Sequence, residues 1–323
     1  MKFVTLITEP KDYSPKALDL YQSIGEVYEL SEAEAVKKEG PKFNADILVL
    51  RLKYLIDKSW LDKLPNLKVI ATPTTGLNHV DMAEAEKRGI KIISLRGHAS
   101  FLDKITSTAE ETVGLMIALV RKLPWAFEYV KQGGWVDRDR FRGRQLVGKT
   151  IGILGLGRLG KMVARYAQAM GMKVIAADPN ISESAMKELG VEKVETDQLF
   201  KVSDIVSVHV LLTDETKNIF KEAHLKMMKP TAYLINTARA EIIEKGALEK
   251  ALEERWIAGA AIDVMWGEEG GLGFEQVLKN EPLWQYAQSH DNLLIVPHIG
   301  GAAYEAMWAT EEFIADLVRK AMK

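Results

Sequence analysis

The segment Gly155-Leu156-Gly157-Arg158-Leu159-Gly160 carries three glycines at the spacing GxGxxG. A β-branched run, Thr150–Leu154, precedes it, and a helical pattern, Leu159–Met170, follows it without a breaker. Asp178 ends the next predicted strand, about 20 residues beyond Gly157, which is the separation expected for a carboxylate that binds a ribose. The strand, the glycine loop, the helix and the acidic residue together predict a Rossmann unit that binds a dinucleotide.

Each position of the loop has a physical reason. Gly155 permits a tight turn, Gly157 lets the backbone approach a pyrophosphate, and Gly160 lets the helix pack closely on the strand. The N-terminus of the helix offers unpaired N–H groups and a positive dipole end to the diphosphate. Asp178 can accept hydrogen bonds from the ribose hydroxyls, and its charge repels a 2′-phosphate. The sequence therefore predicts NAD in preference to NADP. The alternative is a glycine-rich turn beside a surface aspartate.

Composition narrows the remaining possibilities. The chain has 323 residues, so two domains are expected, and its 43 Lys and Arg against 45 Asp and Glu provide no excess of positive charge for nucleic acid. There is no cysteine, which excludes disulfides, thiol catalysis and cysteine-bound metals, and no metal site is predicted. Neither a signal peptide nor an apolar run of about 18 residues is present, so we expect a cytoplasmic protein without a membrane partner.

Outward from the loop, β-branched runs alternate with helical stretches on both sides. This alternation predicts an α/β fold with two doubly wound parallel sheets. The predicted strands are Phe3–Ile7, Ile47–Leu50, Leu67–Ala71, Ile90–Ser94, Thr150–Leu154, Val174–Ala177, Ile205–His209, Tyr233–Asn236, Ala260–Asp263 and Leu293–Val296. Predicted helices include Pro15–Ile24, Ser31–Lys38, Val80–Arg88, Ser107–Leu123 with a stop at Pro124, Leu159–Met170, Ser182–Leu189, Lys221–Met228, Lys245–Glu254 and Tyr304–Met322.

Polar side chains follow the later strands, at the sheet edge where such folds bind ligands. They are Asn236-Thr237-Ala238-Arg239, Asp263, and His298 within Val296-Pro297-His298-Ile299-Gly300-Gly301, with Glu268 shortly after Asp263. A histidine can deliver a proton near neutral pH, and a nearby carboxylate favours its protonated form. An arginine can hold a substrate carboxylate through its planar fork. Taken singly, each is also consistent with a capped histidine, a surface arginine or a solvated carboxylate.

The segments NTAR at 236–239, AAIDV at 260–264 with its following glutamate, PHIGG at 297–301 and STAEE at 107–111 resemble the D-isomer-specific 2-hydroxyacid dehydrogenase family. The resemblance runs from about residue 47 to the C-terminus. It implies that Arg239 binds the substrate, that Glu268 and His298 form the acid/base pair, and that Asp263 lies near the nicotinamide carboxamide. Backbone N–H groups of Thr75 and Gly76 would hold the substrate carboxylate. Further cofactor contacts would come from Arg158, Leu159, His209, Val210, Thr216, Thr237, Ala238 and His298 itself.

The resemblance also implies a domain plan. A Rossmann coenzyme domain, 99–299, would be inserted into a flavodoxin-like substrate domain formed by 1–98 and 300–323. The apolar Ser107–Leu123 helix and an extended arm that carries Trp135 and Phe141 would form a homodimer interface. The expected partner is a small 2-oxo or 2-hydroxy acid.

The chain departs from the family pattern at several positions. Ala240 follows Arg239 where glycine is usual, which a helical backbone would tolerate. Leu211 and Arg96 stand where proline is usual. Glu268 is followed by Glu269, so either could pair with His298, and the spacing favours Glu268. One hypothesis is that Arg51, Lys53, Arg96 or His98 favours a substrate with a polar or anionic tail.

Two other functions stay open from the sequence. A phosphite-type dehydrogenase keeps the same Arg239, Glu268 and His298. A regulator or corepressor that responds to NAD(H) can also keep them.

Overall fold

The structure is a computed structural model, and it describes residues 2–31, 34–35 and 41–323. The chain forms two compact units. One comprises Met1–Ile105, Gly267–Val277 and Ala302–Lys323, and the other comprises Thr106–Trp266 and Leu278–Gly301. The sequence prediction kept residues 267–277 with the coenzyme domain, whereas by contact they group with the first unit.

The helices and strands of the described residues alternate along the chain. The strands are β1 (Phe3–Ile7), β2 (Gly25–Glu29), β3 (Ile47–Val49), β4 (Val69–Ala71), β5 (Lys91–Ile93), β6 (Thr150–Leu154), β7 (Lys173–Ala177), β8 (Glu192–Lys193), β9 (Ile205–Val208), β10 (Tyr233–Asn236), β11 (Gly259–Ile262) and β12 (Leu293–Ile295). The α-helices are α1 (Pro15–Gln22), α2 (Lys58–Leu61), α3 (Met82–Lys87), α4 (Ala99–Leu102), α5 (Ser107–Val120), α6 (Leu123–Lys131), α7 (Arg158–Ala169), α8 (Glu183–Glu188), α9 (Thr196–Val202), α10 (Glu222–Met227), α11 (Ala247–Glu253), α12 (Phe274–Leu278), α13 (Pro282–Ala287) and α14 (Tyr304–Ala321).

The first unit is built on a parallel sheet in the order β2-β1-β3-β4-β5. Alternate residues of each strand enter different cores, because successive side chains point to opposite faces of a sheet. Leu6 and Leu48 belong to one buried cluster and Ile7 and Ile47 to the other. Helix α14 closes the second cluster with Ile314, Ala315 and Val318. Both faces are therefore covered, as parallel sheets require.

The second unit is built on a parallel sheet in the order β12-β11-β10-β9-β6-β7-β8. The chain runs from β6 outward to β8, and then returns to β9 on the other side of β6 and continues outward to β12. This reversal makes the gap between the ends of β6 and β9 a topological switch point, where doubly wound sheets bind ligands. The structure thus confirms the predicted fold class of two parallel, doubly wound sheets.

Local differences from the sequence prediction are informative. The prediction omitted two edge strands, β2 and β8, and the predicted helix Ser31–Lys38 lies largely outside the described residues. The predicted stop at Pro124 is wrong. Helix α5 ends at Val120, Lys122 takes a left-handed conformation with φ of 53°, and Pro124 lies in the first turn of α6. A proline fits there because first-turn N–H groups have no partner within the helix.

Among the described residues, no helix is both long and apolar enough to cross a bilayer.

Candidate active site

The glycine loop begins where the buried strand β6 ends. Gly155 has φ of +91°, a conformation that only glycine adopts readily. Its N–H donates to the carbonyl oxygen of Ala177, at 2.9 Å. A Cβ at this position would lie 2.9 Å from the backbone N of Val210 and from the carbonyl carbon of His209. The loops after β6 and β9 therefore pack backbone to backbone, and a side chain at Gly155 would separate them.

The other two glycines differ in the space around them. A Cβ at Gly160 would lie 2.2 Å from the carbonyl oxygen of Gly155, so α7 packs directly on the loop. A Cβ at Gly157 would meet nothing within 4 Å, and this residue is exposed at the N-cap of α7. The open space above Gly157, next to the N-terminal N–H groups of a 12-residue helix, fits a diphosphate.

Asp178 follows β7 and reaches back to the loop. Its Oδ2 accepts a hydrogen bond from the N–H of Leu156 at 2.8 Å, and its Oδ1 accepts one from the N–H of Asn180 at 2.8 Å. The carboxylate is partly exposed, so each oxygen keeps acceptor capacity for a ribose hydroxyl. The next two residues, Pro179 and Asn180, provide no cation for a 2′-phosphate. The donor set and the space of this loop fit NAD.

The loop after β9 is held by its own side chains. The Oγ of Ser207 lies 2.8 Å from Nε2 of His209, and burial lowers the pKa of His209 to about 4, which makes the imidazole neutral at pH 7. Thr216 donates from Oγ1 to the carbonyl oxygen of Leu211 at 2.5 Å. Leu211 is 69% exposed beyond Val210. The predicted cofactor residues His209, Val210 and Thr216 thus share one loop beside Gly155.

Arg239 lies on a tight loop after β10. The Asn236 side chain closes this loop, because its Oδ1 accepts from the N–H of Ala238 and its Nδ2 donates to the carbonyl oxygen of Arg239, each at 3.0 Å. Arg239 is extended and half-buried, and a 3₁₀ turn begins at Ala240. Ala240 does not have a positive φ, so the helical backbone accommodates an alanine where the family usually has glycine.

Asp263 fixes the loop that carries His298. Its side chain is 1% exposed, with Oδ1 accepting from the N–H of Ile299 at 2.6 Å and Oδ2 accepting from the N–H of Gly300 at 2.9 Å. His298, immediately before them, has φ of 52° and is half-buried. A left-handed conformation is costly for a residue with a side chain, and the two hydrogen bonds of the neighbouring residues hold it in place.

Helix α5 lines the same sheet edge with polar groups. The hydroxyls of Thr112 and Thr237 lie 2.8 Å apart, and Thr112 also donates to the carbonyl oxygen of Thr108. Glu111 is one residue earlier, with both carboxyl oxygens inaccessible to water. Burial, followed by the negative charge of Asp263, raises the pKa of Glu111 to about 8. Burial also raises the pKa of Asp263, against the opposing effect of its two N–H donors.

The remaining predicted residues belong to the first unit. Glu268 and Glu269 are half-buried and open a 3₁₀ helix, Glu268–Gly273. The carbonyl oxygen of Thr75 accepts from Nε of Arg96 at 3.0 Å. Within the described residues, the N–H groups of Thr75 and Gly76 donate to no protein acceptor, which leaves them available to a carboxylate.

The cationic side chains proposed for substrate discrimination differ in their contacts. The Arg51 guanidinium binds the fully buried carboxylate of Glu311 and the carbonyl oxygen of Lys11. His98 packs edge-on against the ring of Phe313, with centroids 4.9 Å apart. Arg96 is exposed, and its backbone N–H donates to Oγ of Ser94 while its guanidinium Nε donates to the carbonyl oxygen of Thr75. Arg96 is therefore a stronger candidate than Arg51 or His98, and Lys53, the fourth residue of that hypothesis, stays a prediction.

Most of the second unit lies within a segment that matches a known protein family. Residues 113–300 match the model of the D-isomer-specific 2-hydroxyacid dehydrogenase NAD-binding domain. The chain belongs to the D-isomer-specific 2-hydroxyacid dehydrogenase family. Its cofactor is accordingly NAD, and the family catalyses NAD-dependent oxidoreduction of 2-hydroxy and 2-oxo acids. Within the described residues, no group of three or more histidine or acidic side chains could hold a metal ion.

Relatives in this dehydrogenase family have different substrates in their names. The chain is 37% identical over 276 residues to a glyoxylate reductase of Thermococcus litoralis, covering 84% of this chain and 78% of the relative. It is 34% identical over 322 residues to a D-3-phosphoglycerate dehydrogenase of Methanocaldococcus jannaschii, and it spans 98% of its own length but 57% of that relative.

Solved structures of the dehydrogenase family share the fold. A D-lactate dehydrogenase from Aquifex aeolicus, crystallised with NAD and lactic acid, superposes with a TM-score of 0.79 at 26% identity. The match covers 98% of this chain and 95% of the other.

The sequence prediction does not identify Asn236 as the side chain that closes the arginine loop, and it names Glu111 only as part of the motif STAEE at 107–111, without a role. A signal for Glu111 was present. Glu111 precedes Leu115 by one helical turn and follows Ser107 by one, so the spacing places it on the buried face of α5. A buried glutamate in an apolar helix requires an explanation.

Proposed function

We propose that this chain reduces a small 2-oxo acid to a D-2-hydroxy acid with NADH, and that His298 is the acid/base residue. One observation carries this proposal. His298 is held in a left-handed conformation by hydrogen bonds to Asp263, in the same unit and at the same sheet edge as a glycine loop that fits NAD. Strained residues of this kind cluster at functional sites.

The proposed reaction balances as follows. When bound, NADH would supply a hydride that forms a C–H bond at C2 of the oxo acid, and NAD⁺ would remain. The electron pair of the carbonyl π bond moves onto oxygen. The imidazolium of His298 delivers its proton to that oxygen, which leaves neutral imidazole and the hydroxy acid. In the direction of oxidation, the neutral imidazole accepts the proton instead.

Other residues hold the substrate in this scheme. The planar guanidinium of Arg239 would bind the carboxylate and the carbonyl oxygen and stabilise charge as it develops. The available N–H groups of Thr75 and Gly76 would bind the carboxylate. We propose that Glu268 favours the protonated form of His298, with Glu269 as the second candidate. Asp178 would bind the adenosine ribose.

The relatives and Arg96 support two proposed substrates. Glyoxylate is the first candidate because it occurs in the name of the relative from Thermococcus litoralis. An acid with a phosphorylated tail is the second, because the exposed Arg96 guanidinium is attached to the Thr75 backbone through Nε. Among the described residues, the two terminal nitrogens of this guanidinium donate to no acceptor, so they can bind an anion.

A substrate screen tests the proposal. Loss of NADH absorbance is followed with glyoxylate, hydroxypyruvate, pyruvate, bulky 2-oxo acids and phosphohydroxypyruvate. We expect turnover with at least one of them, and Arg96→Ala should lower kcat/KM for the phosphorylated acid more than for glyoxylate. Oxidation of phosphite by NAD without turnover of any oxo acid would favour a phosphite-type dehydrogenase. Tight NADH binding with no turnover at all would favour an NAD(H)-responsive regulator.

We further propose a homodimer that buries an apolar surface on α6 and the arm after it. The sequence prediction placed the Ser107–Leu123 helix in this interface, but most apolar side chains of that helix lie in a buried core cluster. Phe127 is 69% and Trp135 is 67% exposed, and Leu123 and Val130 add to this surface. Several large apolar side chains exposed on one surface are typical of a protein–protein interface. Light scattering should give the mass of a dimer for the wild type, and of a monomer for Phe127→Asp with Trp135→Ser. A cytoplasmic location stays a prediction from the sequence.

A further inference from the structure

Glu111 is an acidic residue with buried carboxyl oxygens, and the proposed mechanism leaves it without a role. It lies on α5, and neither carboxyl oxygen has a hydrogen-bond partner among the described residues. Asp263 and His298 belong to the same unit as Glu111. An unpaired carboxylate in this position would be costly, because burial penalises the charged form.

Gly300 shows how closely the two acids approach each other. A Cβ at Gly300 would lie 2.7 Å from Oε2 of Glu111 and 3.0 Å from Oδ2 of Asp263. The two oxygens therefore face the same point beside the loop that carries His298. Two carboxylates so placed, away from water, cannot both stay ionised without strong repulsion, so the pair retains a proton.

The hydrogen bonds indicate which acid carries that proton. Asp263 accepts from the N–H groups of Ile299 and Gly300, and both bonds favour its ionised form. Glu111 accepts no such bond, and its pKa is raised to about 8. A neutral Glu111 also has an O–H to offer, and the Asp263 carboxylate faces it across Gly300.

We propose that Glu111 is a positioning residue that shares one proton with Asp263 and so keeps the loop Val296–Gly301, with His298, in its working conformation. The role in catalysis rests on the proposed function, because it acts through His298. The charged groups that shift the pKa of either carboxyl are the other carboxyl and, for Asp263, His298. Loss of the shared proton would leave both carboxylates ionised beside the loop. Their repulsion would weaken the hydrogen bonds that hold the loop.

The first test reads the shared proton without any turnover. Glu111→Gln keeps a neutral donor in place, and Glu110→Gln is the matched control, because Glu110 is exposed one residue earlier and bonds to Thr106. The pKa of Glu111 is higher in the folded than in the unfolded chain, so its stabilising effect is complete below about pH 4.5 and is lost as pH rises to about 8. The melting temperature of Glu111→Gln relative to wild type should therefore rise between pH 5 and 8, and that of Glu110→Gln should not. A difference independent of pH would overturn the shared proton.

The second test reads positioning. In the direction of oxidation His298 must be neutral, and raising the pH keeps it neutral. A fall in kcat above pH 8 therefore comes from loss of the proton shared by Glu111 and Asp263, and not from the histidine. Wild type should show that fall, and Glu111→Gln should match wild type at pH 7 and keep its activity above pH 8. Glu111→Ala should lose about tenfold in kcat, with a smaller change in KM.

The outcomes separate the two proposals. A pH-dependent melting difference together with identical rate profiles for wild type and Glu111→Gln would overturn the positioning role. Absence of turnover in the wild type would overturn the proposed function, and the positioning role with it, while the melting temperatures would still decide whether the proton is shared.

Discussion

Two loops at one edge of the seven-stranded sheet each contain a residue in a left-handed backbone conformation, and they accommodate it in different ways. The loop after β6 needs a left-handed residue and uses Gly155, with φ of +91°. The loop after β12 needs one as well, but places His298 there, with φ of 52°. Glycine removes the steric cost, whereas the histidine keeps it and relies on hydrogen bonds from its neighbours to Asp263.

The difference follows from what each loop has to present. In the proposed function, the first loop binds a diphosphate through its backbone, and a side chain at Gly155 would separate it from the loop after β9. In the same proposal the second loop presents the imidazole of His298, so glycine cannot replace it, and hydrogen bonds to Asp263 offset the strain. Both loops are anchored by residues distant in sequence, Asp178 for the first and Asp263 for the second. They differ in the residue at the left-handed position, which has no side chain in the first loop and an imidazole in the second.

The largest expected effect is on the second loop. His298→Ala should lower kcat about 10³-fold, because it removes the general acid, while the Kd for NADH changes little. The measurements are steady-state turnover and titration of NADH fluorescence. A comparable loss of NADH affinity would mean that the loop serves the cofactor rather than the proton.

We expect two glycines of the first loop to have different roles, Gly160 in folding and Gly157 in binding. Gly160→Ala should lower the melting temperature by about 5 °C or more, because its Cβ would collide with the carbonyl oxygen of Gly155. Gly157→Ala should leave the melting temperature unchanged, because its Cβ meets no protein atom, and weaken NADH binding at least about tenfold. Equal effects of the two substitutions on stability would contradict this division.

We expect Asp178, which accepts a hydrogen bond from the glycine loop, to set the cofactor preference. Asp178→Asn removes the charge that repels a 2′-phosphate but keeps a side-chain oxygen for the N–H of Leu156. The preference for NADH over NADPH in kcat/KM should fall about tenfold, mainly through better use of NADPH. An unchanged ratio would assign the discrimination to another group.

The smallest expected effect concerns His209, on the loop that packs against Gly155. Its pKa is about 4 in the folded chain and 6.5 as the ordinary value, so the unfolded chain binds more protons between these pH values. Its contribution to stability should therefore fall as pH falls from 6.5 to 4. The melting temperature of wild type relative to His209→Gln should drop by a few degrees over that interval. If the melting temperature of wild type did not drop relative to His209→Gln, the imidazole would be solvated and the prediction would be wrong.

The contrast between the loops also explains what the sequence could predict. The glycine loop, its strand and Asp178 are adjacent or regularly spaced in the chain, so the pattern was sufficient to predict a Rossmann unit and NAD. The parallel strands that are buried were predicted as well, since their β-branched runs are continuous. Edge strand β2, with the mixed sequence GEVYE and no fully buried residue, has no such pattern.

The second loop could be predicted only in part. Family motifs pointed to His298 and Asp263, but the facing of Glu111 and Asp263 depends on packing between residues far apart in the chain. Pro124 was misread because a proline ends one helix and begins another with equal ease. Residues 267–277 group with the first unit through contacts that no local pattern encodes.

The way α14 completes the first unit has a consequence for synthesis. Ile314 and Val318 lie in the same core cluster as Ile7 and Ala17, from the opposite end of the chain. A ribosome delivers the whole sheet β6–β12 before it releases that helix. The sheet of the second unit can therefore form while the first unit still exposes the apolar face that α14 covers.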